Sequence, residues 1–353
     1  MPPRTTHETL AQALLAAVHA QDFADTADAR RAGAPLAPFP SIDLAVAAFS
    51  PSAPPCWANV LFSREHPQGL VARIPADAAA VQGLRFDADL TDAQGNSVAW
   101  APDADWQRLP WRTLYGSGPV RVVAPYPASL LKLMVAVGIG LGVDAGLLGW
   151  PDALEPMIVV SDNDATTACV ALLHRHGLVD VLHGRFAALG LPTLKLQDTK
   201  PDGGWRNGDG SGVGHIHMTA WDTVRLLWLL DADAPPAPWL AADAPALLQP
   251  ATRAHLRGVL QRQQLDHVLS SGSLRHLPGW VPGLPDAPAF AHKTGNTENY
   301  TADAGIVRSG RTHYLVALLS NLGQRYAPHP DCATTWRVPA LGAALHGFIE
   351  STP

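Results

Sequence analysis

Apolar positions recur with helical spacing in several stretches of the chain. Near the N-terminus, residues 9–20 place apolar side chains on one helical face, at Leu10, Leu14, Leu15 and Val18. Further helices are predicted over residues 130–143, 166–174, 179–189 and 219–230. Pro125 and Pro127 precede the first of these, and proline just ahead of good helix formers is typical of a helix start. Helices therefore dominate the chain from about residue 129 to about residue 265.

Short apolar runs between turn residues predict strands on either side of that helical region. Three strands are predicted over residues 289–294, 304–308 and 314–320, and a closing helix over 338–349. Residues 84–90 and 97–100 flank D-A-Q-G-N and predict a hairpin, whereas the Pro- and Ala-rich residues 33–55 predict a linker or an irregular wrap. This order predicts an α+β fold, an antiparallel sheet flanked by terminal helices, with an inserted all-helical lobe over about 129–265.

The composition narrows the class of protein. The 353 residues suggest about two domains, or one large domain with attachments. Charged residues make up 16%, below the typical value of about 25%, which argues against disorder and against a coiled coil. The net charge of -6 excludes a nucleic-acid binder that works through bulk positive charge, and no apolar run reaches the roughly 18–20 residues of a membrane span. Three widely spaced cysteines indicate neither a disulfide framework nor a zinc site.

Lysine is rare in this chain, which makes each lysine a candidate for chemistry. Of the 25 basic residues only four are lysines, at positions 132, 195, 200 and 293. A lysine can lose its proton in a pocket and arginine cannot, so a lysine retained in an arginine-rich chain is a candidate proton acceptor. Glutamate is also rare, and none lies between residues 156 and 297.

Three short strings stand out along the chain, S-L-L-K at 129–132, S-D-N at 161–163 and K-T-G at 293–295. The first and the third each contain one of the four lysines. A spacing of three places Ser129 and Lys132 on one helical face. A serine hydroxyl becomes a nucleophile when a base takes its proton, and a buried lysine can be that base if a nearby positive charge lowers its pKa. Lys293 is a candidate for that charge and for attracting a substrate carboxylate, and Ser161 can relay a proton to a leaving nitrogen.

The three strings together resemble the serine β-lactamase and penicillin-binding-protein superfamily, and within it the class A-like serine hydrolases. The flanking sequence resembles the family as well, in M-I-V-V-S-D-N-D-A-T at 157–166, A-H-K-T-G at 291–295 and D-A-G-I-V at 303–307. The resemblance covers about residues 80–353 and implies a β-lactamase/transpeptidase-like fold for them. It leaves residues 1–79 as an N-terminal extension of unknown role, a helix followed by a Pro-rich segment.

The resemblance also implies a role for each residue of the strings. The catalytic residues would be Ser129, Lys132, Ser161 and Lys293, and the substrate-binding residues Asn163, Thr294, Gly295 and Asn296. Ser129 would be acylated with Lys132 as its base, and Lys293 with Thr294 would hold the substrate carboxylate. Asn163 would bind the substrate amide, and the backbone N–H groups of Ser129 and Asn296 would form the oxyanion hole.

One departure from the family bears on turnover. Class A β-lactamases have a Glu between S-D-N and K-T-G that activates the deacylating water, and this chain has none there. Asp198 and Asp202 are candidate replacements, but Asp is one methylene shorter, and the favoured interpretation is that both cap turns beside Pro and Gly. We therefore expect an acyl-serine hydrolase with slow β-lactam deacylation. The alternatives are a D,D-peptidase or acyltransferase, and a non-catalytic covalent sensor of β-lactams or peptidoglycan.

The expected partner is a small-molecule or peptide substrate with a carboxylate, and no cofactor is expected. His215 and His217 are interpreted as loop residues rather than metal ligands, because two histidines need a third ligand. Trp106, Trp111, Trp205 and Trp280 are interpreted as packing residues under loops, with an aromatic groove as the alternative. We expect a monomer that binds no nucleic acid. No signal peptide is visible, so the chain is expected to be cytoplasmic unless a leader has been removed.

Overall fold

The computed structural model describes residues 6–36, 38–89, 105, 108–205, 215–329 and 332–351. The α-helices of these residues are α1 (His7–His19), α2 (Lys132–Asp144), α3 (Leu154–Val159), α4 (Asn163–Arg175), α5 (Leu178–Ala188), α6 (Ala220–Leu230), α7 (Pro250–Leu260) and α8 (Arg337–Ser351). The strands are β1 (Ala27–Asp28), β2 (Ala34–Pro35), β3 (Ile42–Ser50), β4 (Ala53–Phe62), β5 (Leu70–Val71), β6 (Leu84–Ala88), β7 (Thr113–Tyr115), β8 (Val120–Ala124), β9 (Lys195–Leu196), β10 (Ile216–His217), β11 (Phe290–Asn296), β12 (Thr301–Ser309) and β13 (Thr312–Ser320).

A six-stranded antiparallel sheet in the order β11-β12-β13-β3-β4-β5 is the centre of the fold. The three predicted C-terminal strands and the closing helix are confirmed as β11, β12, β13 and α8. The expected α+β class with an antiparallel sheet is confirmed as well.

The other half of this sheet corrects the interpretation of the N-terminal region. The linker predicted over residues 33–55 is wrong, because β3 and β4 form a long hairpin there, and β3 pairs with β13 from Ile42 to Phe49. The expected boundary at residue 79 therefore cuts through the structure, because three of the six strands precede it. Residues 42–47 are all buried, and a strand covered on both faces shows no alternation of apolar and polar residues.

The sheet lies between two layers of helices. On β13, Tyr314, Val316 and Leu318 pack with α1 and α8, while the alternate residues Leu315, Ala317 and Leu319 pack against the helical lobe. Helix α1 begins at a capping box in which Thr6 and Thr9 bond each other's backbone N–H groups, and it packs on β4 and α8. The N-terminal helix is thus part of the layer that covers the sheet.

The helical lobe contains α2 to α7. Helices α2, α4, α5 and α6 agree with the four predicted helices, whereas α3 and α7 were not predicted individually. Helix α2 is its central element, because residues 132–142 are all buried and α4, α5 and α7 pack around it. Of the predicted hairpin, residues 84–88 form β6, which pairs with β7 and β8 in a separate three-stranded sheet. The partner strand expected at 97–100 lies outside the described residues. Within the described part of the chain, no helix has the length and apolar character needed to span a bilayer.

Candidate active site

Ser129 lies in a short turn that leads into α2. Residues Ala128–Leu131 form a 3-10 turn directly before Lys132, the first residue of the helix. Pro127 precedes the turn, and Ala128 has a φ of 50°, in the left-handed region that costs a non-glycine residue about 1–2 kcal/mol. The side chain of Ser129 is half-buried, and the turn that carries it packs against β11 and β12 of the sheet as well as against α2.

The side-chain amine of Lys132 contacts the turn between α3 and α4. Its Nζ donates to the carbonyl of Ser161 at 2.5 Å, to the Ser161 hydroxyl at 3.0 Å and to Oδ1 of Asn163 at 2.9 Å. Lys132 is fully buried, so these acceptors replace its hydration shell. The predicted pairing of the first two strings is therefore present in the structure.

Lys293 reaches the same serine from the sheet. Its Nζ donates to the Ser161 hydroxyl at 2.9 Å and to the carbonyl of Thr294 at 2.7 Å. Burial lowers the pKa of Lys293 well below its ordinary value, and the charge of Lys132 lowers it further, while Asp303 opposes the shift. Two buried lysine amines thus share one hydroxyl, an arrangement in which carrying both charges is unfavourable.

Ser161 is held in a strained backbone conformation between two helices. Helix α3 ends at Val159 and α4 begins at Asn163, where the side chain of Asp162 caps the helix by accepting from the N–H of Ala165 at 2.7 Å. Ser161 has a φ of 57°, again in the left-handed region. This conformation points its hydroxyl and its carbonyl toward Lys132, which bonds both.

The K-T-G string runs along an edge of the central sheet that no other described strand pairs with, which we call the free edge. At the two ends of the pairing of β11 with β12, the N–H of Arg308 donates to the carbonyl of Ala289, and the N–H of Thr297 donates to the carbonyl of Tyr300. The hydrogen-bonded positions of β11 are therefore the odd-numbered ones, whose backbone groups point toward β12. The backbone groups of the even-numbered residues, including the N–H of Asn296, therefore face the free edge. The side chain of Asn296 is held by Ala333 and Thr301.

Gly295 brings this edge into contact with the turn that carries Ser129. A Cβ atom at position 295 would lie 2.9 Å from the backbone nitrogen of Ser129 and would collide with the carbonyl oxygen of Pro127. Only glycine therefore permits this approach of the two backbones. The free edge at Asn296 and the backbone of Ser129 are neighbours for this reason.

The two candidate deacylation bases make contacts within their own loop and its neighbours. Asp198 is exposed and pairs with His215, whose Nδ1 lies 2.5 Å from the Asp198 carboxylate. Asp202 is exposed and accepts from the N–H of Gly204 at 2.9 Å, which is the turn-capping role favoured from the sequence. A role for either carboxylate in deacylation stays a prediction that these contacts do not favour.

Trp205 lies over Lys132, a contact that the favoured sequence interpretation, packing under a loop, did not predict. It lies at the end of the same loop, 5% exposed, and the Nζ of Lys132 is 5.6 Å from the centre of its ring. Residues 206–214, which follow it, lie outside the described residues. One local signal could have found it, namely a Trp in the segment where the family carries its deacylation base.

A buried charge network directly behind Lys293 was also missed. His292 is fully buried, its Nδ1 lies 2.7 Å from Asp303 and its Nε2 lies 3.1 Å from Asp266. Although burial alone would lower the pKa of His292, the two carboxylates raise it to about 9. His292 is therefore a charged histidine at neutral pH, one residue away from Lys293.

We expect this network to make stability depend on pH between 6.5 and about 9. A histidine with a raised pKa in the folded state contributes stability that is fully present below 6.5 and is lost as pH rises to about 9, a change of about 3 kcal/mol. Lys293 contributes a slope of the opposite sign, because its pKa is lowered. The contribution of His292 is therefore isolated by comparing wild type with His292→Gln.

The measurement is an NMR titration of the histidine rings, combined with urea unfolding of both proteins from pH 6 to about pH 9. One ring should titrate near pH 9 in wild type and vanish from the spectrum of His292→Gln. The stability advantage of wild type over the variant should shrink across the same range. A wild-type protein in which every ring titrates below about pH 7 would contradict the assignment.

The structure gives no support to a metal site at the loop histidines. His215 contacts Asp198 and Arg112, while His217 is buried in the short strand β10. Within the described residues, no group of three or more His, Cys, Asp or Glu side chains is arranged to hold a metal ion.

A comparison with family models agrees with the three strings. The model of the beta-lactamase enzyme family matches residues 142–335, more than half of the chain. The matched range contains S-D-N and K-T-G and begins after Lys132. A search of curated proteins finds no match.

Several solved structures are similar to this chain at low sequence identity. A mutant of PBP-A, described as an acyl-enzyme complex with penicillin G, is 15% identical over 99% of both chains, with a TM-score of 0.52. The beta-lactamase from Sphaerobacter thermophilus DSM 20745 is 13% identical over 97% of both chains, with a TM-score of 0.49. A class A beta-lactamase from Bacteroides cellulosilyticus DSM 14838 is 19% identical over 64% of this chain and 85% of that one, with a TM-score of 0.45.

Proposed function

The chain belongs to the beta-lactamase enzyme family, and we propose that it is a serine hydrolase that forms an acyl-enzyme on Ser129 with a β-lactam or a related amide or ester. The observation that carries this proposal is the convergence of Lys132 and Lys293 on the hydroxyl of Ser161, at 3.0 and 2.9 Å. Two buried amines around one hydroxyl are costly to maintain without a chemical role, and they provide a route for a proton.

In the proposed reaction, the two amines that bond Ser161 share one positive charge, which resides on Lys293 in the reactive state. The hydroxyl oxygen of Ser129 then attacks the carbonyl carbon of the substrate and loses its proton to the neutral amine of Lys132. The oxyanion is bound by the N–H of Ser129 and by the N–H of Asn296 at the free edge of β11. The proton then passes through Ser161 to the leaving nitrogen, whose bond to the carbonyl carbon breaks. Lys293 and Thr294 hold the carboxylate of the substrate, and Asn163 binds its amide.

The same geometry supports slow release of the acyl group from a β-lactam. No Glu lies between residues 156 and 297, and the two aspartates of the loop are engaged with His215 and Gly204. This observation also favours a second candidate function, a covalent sensor of β-lactams or peptidoglycan that is acylated and stays acylated. A D,D-peptidase or acyltransferase would use the same residues, with departure of the leaving group before the second step.

The proposal is tested by intact-mass spectrometry of the protein incubated with a panel of β-lactams and acyl esters. Wild type should gain the mass of one acyl group, and peptide mapping should place it on Ser129. Ser129→Ala should abolish the adduct, because the substitution removes the nucleophilic oxygen. Ser117→Ala, in the same half of the chain, is the matched control and should label as wild type does. An adduct that persists in Ser129→Ala would refute the assignment.

A further inference from the structure

The turn at residues 200–204, directly before Trp205, packs against α4, the helix that begins at Asn163. In this turn, the N–H of Lys200 bonds the carbonyl of Gly204 at 2.8 Å, and the N–H of Gly203 bonds the carbonyl of Lys200 at 2.8 Å. Gly203 has a φ of 91°, and a Cβ atom there would collide with the carbonyl oxygen of Thr167 in α4. The turn therefore packs backbone against backbone on α4, one helical turn after Asn163.

This attachment places the indole ring of Trp205 over the amine of Lys132. The ring centre is 5.6 Å from Nζ, and both side chains are buried. Ser161 and Asn163 bond the same amine. The amine is thus enclosed by polar acceptors and by an aromatic face that offers no group able to hold and activate a water molecule.

We propose that Trp205 is a positioning residue that excludes water from Lys132 and thereby sets the lifetime of the acyl-enzyme. This inference rests on the proposed acylation of Ser129. It goes beyond the lack of a Glu, because it assigns slow deacylation to a side chain that is present and can be removed.

The step that Trp205 restrains is hydrolysis of the ester at Ser129. Water adds to the carbonyl carbon and gives one proton to the neutral amine of Lys132. The bond from carbon to the Ser129 oxygen then breaks, the amine returns the proton to that oxygen, and the acyl group leaves as a carboxylic acid. A water molecule must lie beside the amine for this step. The leaving group of a β-lactam stays attached to the acyl group and occupies the side of Ser161, so water has to approach from the side that the indole ring covers.

The chain contains a matched control for this role. Trp239 also covers a buried cation, since the guanidinium carbon of Arg225 lies 5.3 Å from the centre of a Trp239 ring. Its Nε1 bonds the carbonyl of Leu189, away from the three catalytic strings. Loss of either tryptophan removes apolar contacts and an aromatic face over a basic side chain, but of the two it is Trp205 that lies over Lys132.

The experiment compares wild type, Trp205→Ala, Trp205→Phe and Trp239→Ala, each acylated with penicillin G, freed of excess reagent and followed by intact-mass spectrometry. Trp205→Ala should shorten the lifetime of the adduct about tenfold or more, because water then reaches a base. Trp205→Phe, with a smaller ring, should give an intermediate lifetime. Trp239→Ala should lose thermal stability and keep the wild-type lifetime.

Each outcome of this experiment decides a separate question. An adduct that decays at the wild-type rate in Trp205→Ala overturns the inference and leaves the acylation of Ser129 intact. If Trp205→Ala does not fold, the lifetime in Trp205→Phe decides, and an unchanged value overturns the inference. Equal shortening in Trp205→Ala and Trp239→Ala shows a general loss of rigidity and also overturns it. A wild-type protein that no penicillin or ester acylates refutes the proposed function itself.

Discussion

Lys132→Arg should abolish acylation of Ser129, whereas Lys293→Arg should retain part of it. Arginine stays protonated in proteins, so it cannot accept the proton of the Ser129 hydroxyl. Its planar guanidinium also cannot reproduce the three bonds of Lys132, whose acceptors lie between 2.5 and 3.0 Å from a single nitrogen atom. We expect the acylation rate to fall at least about a thousandfold, within the range that removal of a positioned base produces.

Lys293→Arg keeps the positive charge that holds a substrate carboxylate, so a measurable rate should remain. Labelling with a fluorescent penicillin over time gives both rates, and Lys200→Arg, in an exposed turn, controls for the change of residue type. Tolerance at Lys132 with complete loss at Lys293 would show that the roles are reversed. The lowered pKa of Lys293 gives that outcome a physical basis, since a neutral Lys293 could accept the proton through Ser161.

The parts of the fold that were predicted from sequence are those with local signals. Strands β11, β12 and β13 are joined by short turns, α8 and the lobe helices α4, α5 and α6 show periodic apolar positions, and α2 is a continuous apolar run. The β3–β4 hairpin was missed, because β3 is covered on both faces and shows no alternation, and because prolines flank it. Its place beside β13 depends on a contact between residues about 270 positions apart, which no local pattern reveals.

The candidate site divides in the same way. The three strings were found because each is a local pattern built on a rare residue, and the structure brings Lys132, Ser161 and Lys293 together. The contact of Trp205 with Lys132 and the pair of carboxylates around His292 were not predicted, because they depend on how a loop packs on α4 and on cross-strand register. Gly203 and Gly295 lie where another segment of backbone packs too closely for a side chain. The sequence shows the glycines, but it does not show which segment packs against them.

Penicillin should acylate the wild-type protein readily, and the acyl group should be hydrolysed from Ser129 slowly. Steady-state hydrolysis of penicillin should therefore fall far below the roughly 10–10³ per second of good enzymes. Removal of a positioned general base costs about 10²–10⁴-fold, and the loop that would carry that base presents Trp205 to Lys132 instead. Acylation should survive, because it needs Lys132, Ser161 and the two backbone N–H groups. Esters and small amides should be hydrolysed faster than penicillin, because their leaving group departs after acylation. Water can then enter beside Ser161, whose hydroxyl is 3.0 Å from the amine of Lys132.

Asp198→Ala and Asp202→Ala should both leave the slow penicillin turnover unchanged, because one carboxylate pairs with His215 and the other caps a turn. The measurement is steady-state hydrolysis of penicillin G by wild type and both variants, beside hydrolysis of an acyl ester. Fast hydrolysis by wild type that disappears in one variant would identify that aspartate as the deacylation base. It would also mean that the loop rearranges on acylation, because Asp198 would have to leave His215, or Asp202 the N–H of Gly204, to reach the ester.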